Sequence, residues 1–416
     1  MPETAKGEEP KAQQRRLAVT LFRTGQKPAE IAHHLQRSRR WVYYWVAYQH
    51  QHPHTRFRSV SSAPHHHPNQ TPRPVERQIL HLRQSLLAQR TPRLRYAPAG
   101  ARTIRRELGK RRVKPCPSLS TIQRILRRHR LTTRTPPDEG TPYRPHPPAP
   151  YPNAVQATDI ITRWLEGGPV VQTFTTVDPW SNAASARLHA QKSTAAARSH
   201  LLATWRQLGV PDLAQFDNES VFSGGPHPQV LSALVRLCLY LRIEVLFTPV
   251  EEADYNWQIE TFNHLWATQF WAKHHFTHRW RISPALHAFL RWYNTDYVAP
   301  RQPETPTRLR AGQQLRRLPT SLAAQIPESL PISAGLVHAI RCVADDGQVT
   351  FLKEFFPVGK RYRSQYVWLT LDTAQQSLTV YYQAQAEADW HLLKVFVYPL
   401  AEPVKPVLKQ FTCLHD

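Results

Sequence analysis

Long apolar runs and paired cysteines are both missing from this sequence of 416 residues. No stretch of 18 consecutive apolar residues occurs, so we expect no membrane span. The opening segment, MPETAKGEEPKAQQRR, is charged and lacks the apolar centre of a secretory signal. The 4 cysteines are scattered without CxxC spacing, which predicts reduced thiols in a cytoplasmic protein rather than a disulfide framework.

Acidic residues are scarce in the first third of the chain. Residues 1–150 hold 30 Lys and Arg against 8 Asp and Glu, a net charge of +22, whereas residues 151–416 have a net charge of only +2. Neutralising the phosphates of a polyanion releases condensed counterions, so this charge favours tight, salt-sensitive binding of nucleic acid. A basic segment can also be merely solvated or bind acidic lipid, but here the charge coincides with helix patterns suited to DNA.

Residues 1–50 contain a pattern of three short helices. Gly25 ends the first helix, Pro28 begins the second, and Ser38 is a plausible N-cap of the third. This spacing is typical of a helix-turn-helix unit, although a generic three-helix unit has the same outline. Basic and aromatic residues open the third helix and are predicted to face a DNA groove: Arg39, Arg40, Tyr43 and Tyr44.

A second three-helix pattern lies between two predicted linkers. A Pro- and His-rich stretch at 51–74 predicts a solvated linker, although its three consecutive histidines make a metal site conceivable. Residues 75–135 predict a second helix-turn-helix unit, whose last helix Ser118 or Ser120 would cap. Its outer face carries three arginines predicted to contact DNA: Arg124, Arg127 and Arg128. A Pro-rich linker at 136–152 follows.

The remaining sequence predicts strands as well as helices. At 153–310, three successive hairpin strands precede alternating helices and strands, the order of a ribonuclease H-like α/β core with a mixed sheet. A further linker is predicted at 311–330. Residues 331–416 alternate apolar and polar residues and predict a small β-barrel, which could bind DNA, pack on a partner or cap the fold. The whole chain is therefore predicted to be a multidomain α+β protein.

Three carboxylates of the core have settings that suggest metal binding. Asp159 lies in the middle of an apolar strand, where a buried carboxylate is costly unless a positive charge meets it. Asp217 ends another strand, and Glu260 lies on a helix after the next strand, so we expect the three to converge at one edge of the sheet. Mg²⁺ or Mn²⁺ prefers oxygen ligands, and two ions held by shared carboxylates suit in-line attack on a phosphodiester.

Each of these acids also has a structural alternative. Asp159 could be a hydrogen-bonding or capping acid, Asp217 a turn residue and Glu260 a surface charge on its helix. Asp178, which precedes a proline, is expected to be a hairpin-turn acid. Glu219 could act through its neighbour Asp217.

The stretch PVEEADYNWQIETFNHLW offers three competitors for the third ligand. Glu251 and Glu252 fall in a loop where nothing is expected to fix a carboxylate, and Asp254 is placed to cap the coming helix. Apolar residues around Glu260 would anchor that helix to the sheet, so we expect Glu260 to be the ligand. His264, one turn later, would share its face and touch DNA.

Five motifs resemble the core of DDE-type insertion-sequence transposases of the retroviral-integrase superfamily: ATDI, VDPWSNAASA, QFDNESVFSGG, NWQIETFNHLW and FLRWYNTDYVAPRQPETP. The resemblance covers residues 153–310, and two helix-turn-helix units with a C-terminal barrel fit the usual layout of such enzymes. It implies that Asp159, Asp217 and Glu260 are the catalytic and metal-binding triad. It also matches neighbouring residues to family motifs: Asn218, Asn256 and Asn263 in supporting positions, and Tyr293 with Asn294 after the catalytic helix.

The sequence therefore predicts a transposase that binds the terminal inverted repeats of a mobile element. It would nick the element ends with two metal ions and join the 3′-hydroxyls to target DNA. Because two ends must be paired, a homo-oligomer is expected, acting on nucleoid DNA in a bacterial cytoplasm. Two alternatives stay open: a transposase-derived DNA-binding protein with a catalytically silent core, and a nuclease without strand transfer.

Overall fold

The computed structural model describes residues 10–55, 57, 70–88, 94–132, 142–224, 229–250, 252–297 and 316–407. The chain divides into two compact units, 1–72 and 73–416. The three consecutive histidines of the first predicted linker lie outside the described residues. Among the helices that are described, none combines the length and the apolar character needed to cross a membrane.

The first unit is a bundle of three helices: α1 (Pro10–Arg23), α2 (Pro28–His34) and α3 (Arg39–Gln51). Gly25 follows α1 with a φ of +86°, a left-handed conformation that glycine adopts without strain. Ser38 caps α3, because its hydroxyl accepts a hydrogen bond of 3.2 Å from the backbone N–H of Trp41. The turn before α3 lacks a glycine, and Gln36 takes the left-handed conformation there instead, with a φ of +53°.

The predicted DNA-facing side of α3 is exposed. One apolar cluster of the unit lies beneath it and buries Ala18, Ile31, Ala32 and Val42. Arg39 and Arg40 are exposed, and Tyr43 and Tyr44 expose 55% and 58% of their surface. The three-helix prediction and the outward position of these four residues are therefore confirmed.

The second unit begins with three more helices: α4 (Arg73–Leu87), α5 (Ala101–Lys110) and α6 (Leu119–Arg128). Ser118 caps α6 through a 3.2 Å bond from the backbone N–H of Thr121, which decides between the two predicted caps. Tyr96, between α4 and α5, is buried against Phe289 and Trp292 of the following core. The second three-helix group therefore shares one apolar cluster with the core.

Within the described residues, five strands and five helices form the predicted core. The strands are β1 (Val155–Trp164), β2 (Val170–Val177), β3 (Ala184–His189), β4 (Leu213–Phe216) and β5 (Glu244–Phe247). The helices are α7 (Thr194–Leu208), α8 (Ser220–Ser223), α9 (Ala233–Tyr240), α10 (Trp257–Leu265) and α11 (Arg279–Thr295). Short 3₁₀ and π turns flank α10 at Ala253–Asn256, Trp266–Phe270 and Trp271–Lys273.

The strand order of this core is β3-β2-β1-β4-β5. β1, β2 and β3 pair antiparallel, whereas β1, β4 and β5 pair parallel. Three antiparallel strands that continue into two parallel ones define the ribonuclease H-like fold, so that prediction is confirmed. Because β1 and β4 run side by side, residues that follow the same register on both strands lie at one edge of the sheet.

The C-terminal strands extend the core sheet. They are β6 (Ile332–Ser333), β7 (Leu336–Cys342), β8 (Gln348–Phe351), β9 (Glu354–Pro357), β10 (Tyr366–Asp372), β11 (Ser377–Tyr382), β12 (His391–Val397) and β13 (Val404–Lys405), after a short helix α12 (Thr320–Ala323). β7 pairs parallel with β5, and β10, β11 and β12 continue to a nine-stranded order within the described residues.

A separate small β-barrel is therefore not confirmed. Alternation of apolar and polar residues predicted the strands, but it cannot tell which neighbour a strand pairs with. Here β7 pairs with the edge of β5, and Val337 and Ala339 of β7 belong to the apolar cluster of the core. The hairpin β8–β9 and the pair β6–β13 form two additional small sheets.

Candidate active site

Asp159 and Asp217 lie side by side on neighbouring strands. In the parallel pairing of β1 with β4, Thr158 is opposite Phe216, and each aspartate is the next residue on its strand. Adjacent strands are about 4.8 Å apart, so the two carboxylates are close neighbours. The charge on Asp159 accordingly raises the pKa of Asp217. This is the convergence that the sequence predicted for the first two acids.

Hydrogen bonds fix the orientation of Asp159. The amide of Asn263 on α10 donates to one carboxylate oxygen at 2.6 Å, and the backbone N–H of Ile160 donates to the other at 2.7 Å. Thr175 on β2 in turn donates to the Asn263 carbonyl at 3.1 Å. Burial raises the pKa of Asp159, while these two bonds and the charge of Lys192 act in the opposite direction.

Asp217 is held where its charged form is disfavoured. Burial and then the neighbouring charge of Glu219 raise the pKa of Asp217 to about 7, with a further contribution from Asp159. The backbone N–H of Glu219 donates to Asp217 at 3.1 Å and lowers the pKa somewhat. Either protonation or a bound cation would offset the unfavourable charge of this carboxylate.

Lys192 is the cation nearest to this group of acids. It follows β3 and forms an ion pair with Glu219. Its charge also lowers the pKa of both Asp159 and Asp217. Glu219 therefore acts on Asp217 through its charge and its backbone, as the sequence allowed, while Lys192 carried no sequence signal because it lies in the ordinary polar loop before α7.

Asn218, next to Asp217, is held by an arginine from the C-terminal strands. Arg341 on β7 donates to the Asn218 side-chain carbonyl at 2.7 Å and to the backbone carbonyl of Thr248 at 2.8 Å. The Asn218 amide donates to the same Thr248 carbonyl at 2.6 Å. Arg341 is only 9% exposed, and burial lowers its pKa to about 10, so it stays charged at neutral pH. A residue outside the predicted core thus fixes the turn that bears Asp217.

Asn256 and Asn263 link the third predicted element to the carboxylate strands. The side chain of Gln215 on β4 donates to Asn256, which directly precedes α10. Asn263 binds Asp159 from within α10. Both amides that the sequence placed in supporting positions therefore make such contacts.

Glu260 lies on α10, three residues before Asn263 and half-buried. Residues three apart share a helix face, so Glu260 lies on the side of α10 that meets Asp159. Ile259 and Phe262 are buried beside it, as predicted. Within the described ranges, however, no three or more His, Cys, Asp or Glu side chains lie close enough together to hold a metal ion. The fold brings Asp159 and Asp217 together without adding Glu260 as a third member.

The competing acids have other surroundings. Glu252 was expected in a loop that fixes nothing, and this was wrong, because Arg144 pairs with it at 2.6 Å and the Tyr366 hydroxyl donates to it. The sequence could not show this, since both partners are more than a hundred residues away in the chain. Glu251 and the side chain of Asp254 lie outside the described residues.

Asp178 is the structural acid that the sequence predicted. It is buried at the end of β2 and accepts hydrogen bonds from the Ser181 hydroxyl at 2.5 Å and the Trp180 backbone at 3.0 Å. Asn294, which was matched to a family motif, is buried between α11 and β3. Its side chain accepts a hydrogen bond from the backbone N–H of Ala184 and donates one to the C=O of the same residue. Both residues stabilise the sheet away from the carboxylate pair.

The predicted DNA contacts of the second three-helix group are exposed on α6. Arg124 and Arg127 face solvent. Arg128 is partly exposed, but it pairs with Glu76 on α4 at 2.5 Å, and His129 binds the same carboxylate at 2.7 Å. Arg128 is therefore already engaged in joining α6 to α4. His264 on α10 is exposed, as predicted.

Residues 9–51 match the model of a homeodomain-like domain, which agrees with the helices α1 to α3. No protein with curated annotation shows significant sequence similarity to the chain.

Among solved structures, a chain of the simian T-cell lymphotropic virus intasome in complex with PP2A regulatory subunit B56 gamma is similar at 16% identity. That match covers 69% of this chain and 93% of the other, with a TM-score of 0.37. The HTLV-2 integrase catalytic core domain in complex with magnesium matches 40% of this chain and 99% of its own length, with 17% identity and a TM-score of 0.30. The BIV integrase catalytic core domain matches 38% of this chain and 93% of its own length, with 14% identity and a TM-score of 0.29. The fold assignment rests on the strand order.

The oxygen donors of the site suit a hard divalent cation. Asp159 and Asp217 offer carboxylate oxygens, and a bound cation would compensate the burial and repulsion that raise the pKa of Asp217. Asn263 and Asn218 hold their neighbouring acids in place. The two aspartates therefore fit a Mg²⁺ or Mn²⁺ ligand pair.

Replacing Asp217 by Asn is expected to stabilise the metal-free protein at high pH. The folded-state pKa of about 7 exceeds the ordinary value near 4, so the folded chain holds a proton that the unfolded chain has released between these pH values. The stability contributed by Asp217 is therefore present at low pH and lost as the pH rises through 7. The advantage of Asp217→Asn should grow by about 2 kcal/mol from pH 5 to pH 8.

Urea unfolding in EDTA at both pH values measures this difference. Asp389→Asn, at an exposed position, serves as the control and should show no growing advantage. An Asp217→Asn advantage that shrinks from pH 5 to pH 8 would contradict the raised pKa.

Arg341→Met is expected to weaken divalent-cation binding because it releases Asn218 and the turn that carries Asp217. Arg236→Met is the matched control, since Arg236 also joins the core to the C-terminal segment, through Glu402 and the Leu330 carbonyl. Both variants should lower the melting temperature. Only Arg341→Met should raise the Mn²⁺ concentration at half-maximal thermal stabilisation, by about tenfold. Equal Mn²⁺ midpoints in the two variants would mean that Arg341 has a purely structural role.

Proposed function

We propose that the protein is a DNA transposase that binds the terminal inverted repeats of a mobile element, nicks the ends and joins their 3′-hydroxyls to target DNA. The observation that carries this proposal is the pair Asp159 and Asp217, held side by side on the parallel strands of a ribonuclease H-like sheet. Half-buried paired carboxylates with raised pKa values are typical of functional sites rather than of a structural scaffold.

The homeodomain-like unit supports the DNA-binding half of the proposal. α3 presents Arg39, Arg40, Tyr43 and Tyr44 to solvent over a compact core. A helix of this kind reads base edges in the major groove while the other helices contact the backbone. Arg124 and Arg127 on α6 would supply further phosphate contacts, and the net charge of +22 over residues 1–150 provides the attraction.

The catalytic half is assigned to Asp159, Asp217 and Glu260. Asp159 and Asp217 would hold Mg²⁺ or Mn²⁺, and Glu260 would complete the site from the face of α10 that Asn263 already joins to Asp159. Two bound ions would supply an activated oxygen nucleophile and neutralise charge on the scissile phosphate. Lys192 lies beside these carboxylates and is placed to contact the same phosphate.

The positioning residues keep the two aspartates ready for this role. Asn263 fixes the Asp159 carboxylate, and Arg341 fixes Asn218 beside Asp217. Because two element ends are joined in one reaction, we also propose that the protein works as a homo-oligomer on paired ends, on nucleoid DNA in a bacterial cytoplasm.

A transposase-derived DNA-binding protein with a silent core is the second candidate function. The observation that favours it is the lack, within the described residues, of a group of three acids that could hold a metal ion. For this candidate function, Asp159 and Asp217 would have no remaining catalytic role, and DNA binding would not lead to cleavage.

Cleavage by acid variants separates the two candidates. Asp159→Asn, Asp217→Asn and Glu260→Gln should each reduce Mg²⁺-dependent nicking and strand transfer on end-containing duplex by at least about 100-fold. Glu252→Gln is the matched control and should stay within several-fold of the parent, because Glu252 is engaged by Arg144 and Tyr366. DNA binding should change little in all four variants.

A parent protein that binds its element ends without nicking them in Mg²⁺ or Mn²⁺ would support the silent scaffold. Nicking without strand transfer would support a nuclease. An inactive Glu252→Gln together with an active Glu260→Gln would reassign the third ligand.

Replacing Arg39 and Arg40 together by Ala should reduce discrimination between end DNA and random DNA by about tenfold or more, since base contacts carry specificity. The matched control replaces the exposed α1 residues Lys11 and Arg23, which should weaken binding to both DNAs alike. Competition binding with the full chain measures the ratio. An unchanged ratio for the Arg39 and Arg40 variant would mean that these arginines touch only phosphate.

A further inference from the structure

The edge of the nine-stranded sheet at β3 carries arginines that the carboxylate site does not use. Arg187 lies on β3, Arg206 on α7 and Arg279 at the start of α11. All three are exposed, and the structure shows no ion pair for any of them within its described part. We refer to Arg187, Arg206 and Arg279 as the β3 edge cluster.

Charged groups gathered at this edge disfavour one another's charge. After burial, the charge of Arg206 lowers the pKa of Arg187. His189, two residues further along β3, likewise has its pKa lowered by burial and then by Arg187 and Arg279. Like charges gathered from three elements destabilise the free protein, and a polyanion lying across them would remove that repulsion.

The sequence around Arg279 is rich in cations. The segment KHHFTHRWR at 273–281 contains two arginines, a lysine and three histidines and has no acid. Trp280 exposes 68% of its surface, with the guanidinium of Arg281 over its ring at 5.1 Å. An exposed indole among cations is an arrangement that proteins use against the sugars and bases of nucleic acid.

The register of the sheet fixes the side on which Arg187 lies. Arg187 pairs with Phe174 on β2, and Phe174 pairs with Ile160 on β1, so these three residues share one face of the sheet. Ile160 and Phe174 pack with residues of α7, whereas Asp159 faces Asn263 on α10. Arg187 therefore lies on the α7 side of the β3 edge, on a surface separate from the carboxylates.

We propose that the β3 edge cluster binds the phosphate backbone of duplex DNA. This binding does not depend on the proposed catalytic function. The core would thereby hold DNA directly, in addition to the contacts made by the N-terminal helices.

Charge reversal in the full chain tests the cluster. The test variant carries Arg187→Glu, Arg206→Glu and Arg279→Glu, and the matched control carries Lys353→Glu, Lys360→Glu and Lys394→Glu, three exposed residues of the C-terminal segment. Both variants change the net charge equally. Affinity for a 40-base-pair duplex, a length of about four helical turns, is measured in EDTA over a series of salt concentrations, where cleavage cannot contribute.

The cluster variant should bind at least about tenfold more weakly at low salt, and the slope of log affinity against log salt should fall by about 2 to 3, since each lost phosphate contact removes about 0.9. The control should keep the parent slope. Equal slopes in the parent and the cluster variant would overturn the proposal, and so would equal losses of affinity in the cluster variant and the control. A loss of affinity that is confined to duplex RNA would also overturn it.

If the triple reversal lowers the melting temperature, the single changes Arg187→Gln, Arg206→Gln and Arg279→Gln give the same answer through their summed slopes. Cleavage in Mg²⁺ is scored separately. If the cluster variant shows a smaller slope and the parent is inactive, the binding surface is supported and the proposed catalytic function is not. If the parent is active and the slopes are unchanged, the catalytic function is supported and the binding surface is not.

Discussion

Two aspartates that the fold holds side by side, in a setting that disfavours their charge, are the constraint on which the rest of the site depends. Asp159 and Asp217 follow the same register on parallel strands. Burial, then the charge of Glu219 and then that of Asp159 raise the pKa of Asp217 to about 7. A protein gains no stability from such a pair. The arrangement is explained if the pair binds something positive, and a divalent cation is the ligand that carboxylate oxygens suit.

The surrounding structure restrains the pair without neutralising it. Asn263 and Arg341 bind Asp159 and Asn218 through directed hydrogen bonds, which fix geometry while leaving carboxylate oxygens available. The one nearby ammonium among the described contacts, that of Lys192, is engaged by Glu219. The C-terminal strands contribute directly, because β7 continues the core sheet and carries Arg341. The carboxylate site therefore depends on the C-terminal segment as well as on the predicted core.

The parts of this structure that follow local rules could be predicted from the sequence. Ser38 and Ser118 cap helices, and the succession of strands and helices along the chain follows from hydrophobic periodicity. Given that succession, the meeting of Asp159 with Asp217 was expected at one edge of a ribonuclease H-like sheet. The resemblance to integrase-type cores pointed to the amides that hold the site, including Asn263.

Long-range pairings could not be predicted. Which edge β7 joins, and that Arg341 reaches Asn218, depend on contacts between residues 123 apart in sequence. The same holds for the contact between Arg144 and Glu252, which are 108 residues apart in sequence. Glu252 was expected to have no fixed position, and this contact holds its carboxylate in place. Arg128 was assigned to DNA from its outward position, but its ion pair with Glu76, 52 residues earlier, could not be foreseen. A single sequence records periodicity and capping, while these ion pairs arise only when the whole chain has folded.

Anomalous diffraction from crystals soaked in Mn²⁺ tests the central claim most directly. The account predicts a manganese peak in contact with carboxylate oxygens of both Asp159 and Asp217, with Glu260 completing the coordination from α10. The peak should disappear in crystals of Asp217→Asn. A fully occupied soak that places manganese elsewhere and leaves the two aspartates without an ion would contradict the account.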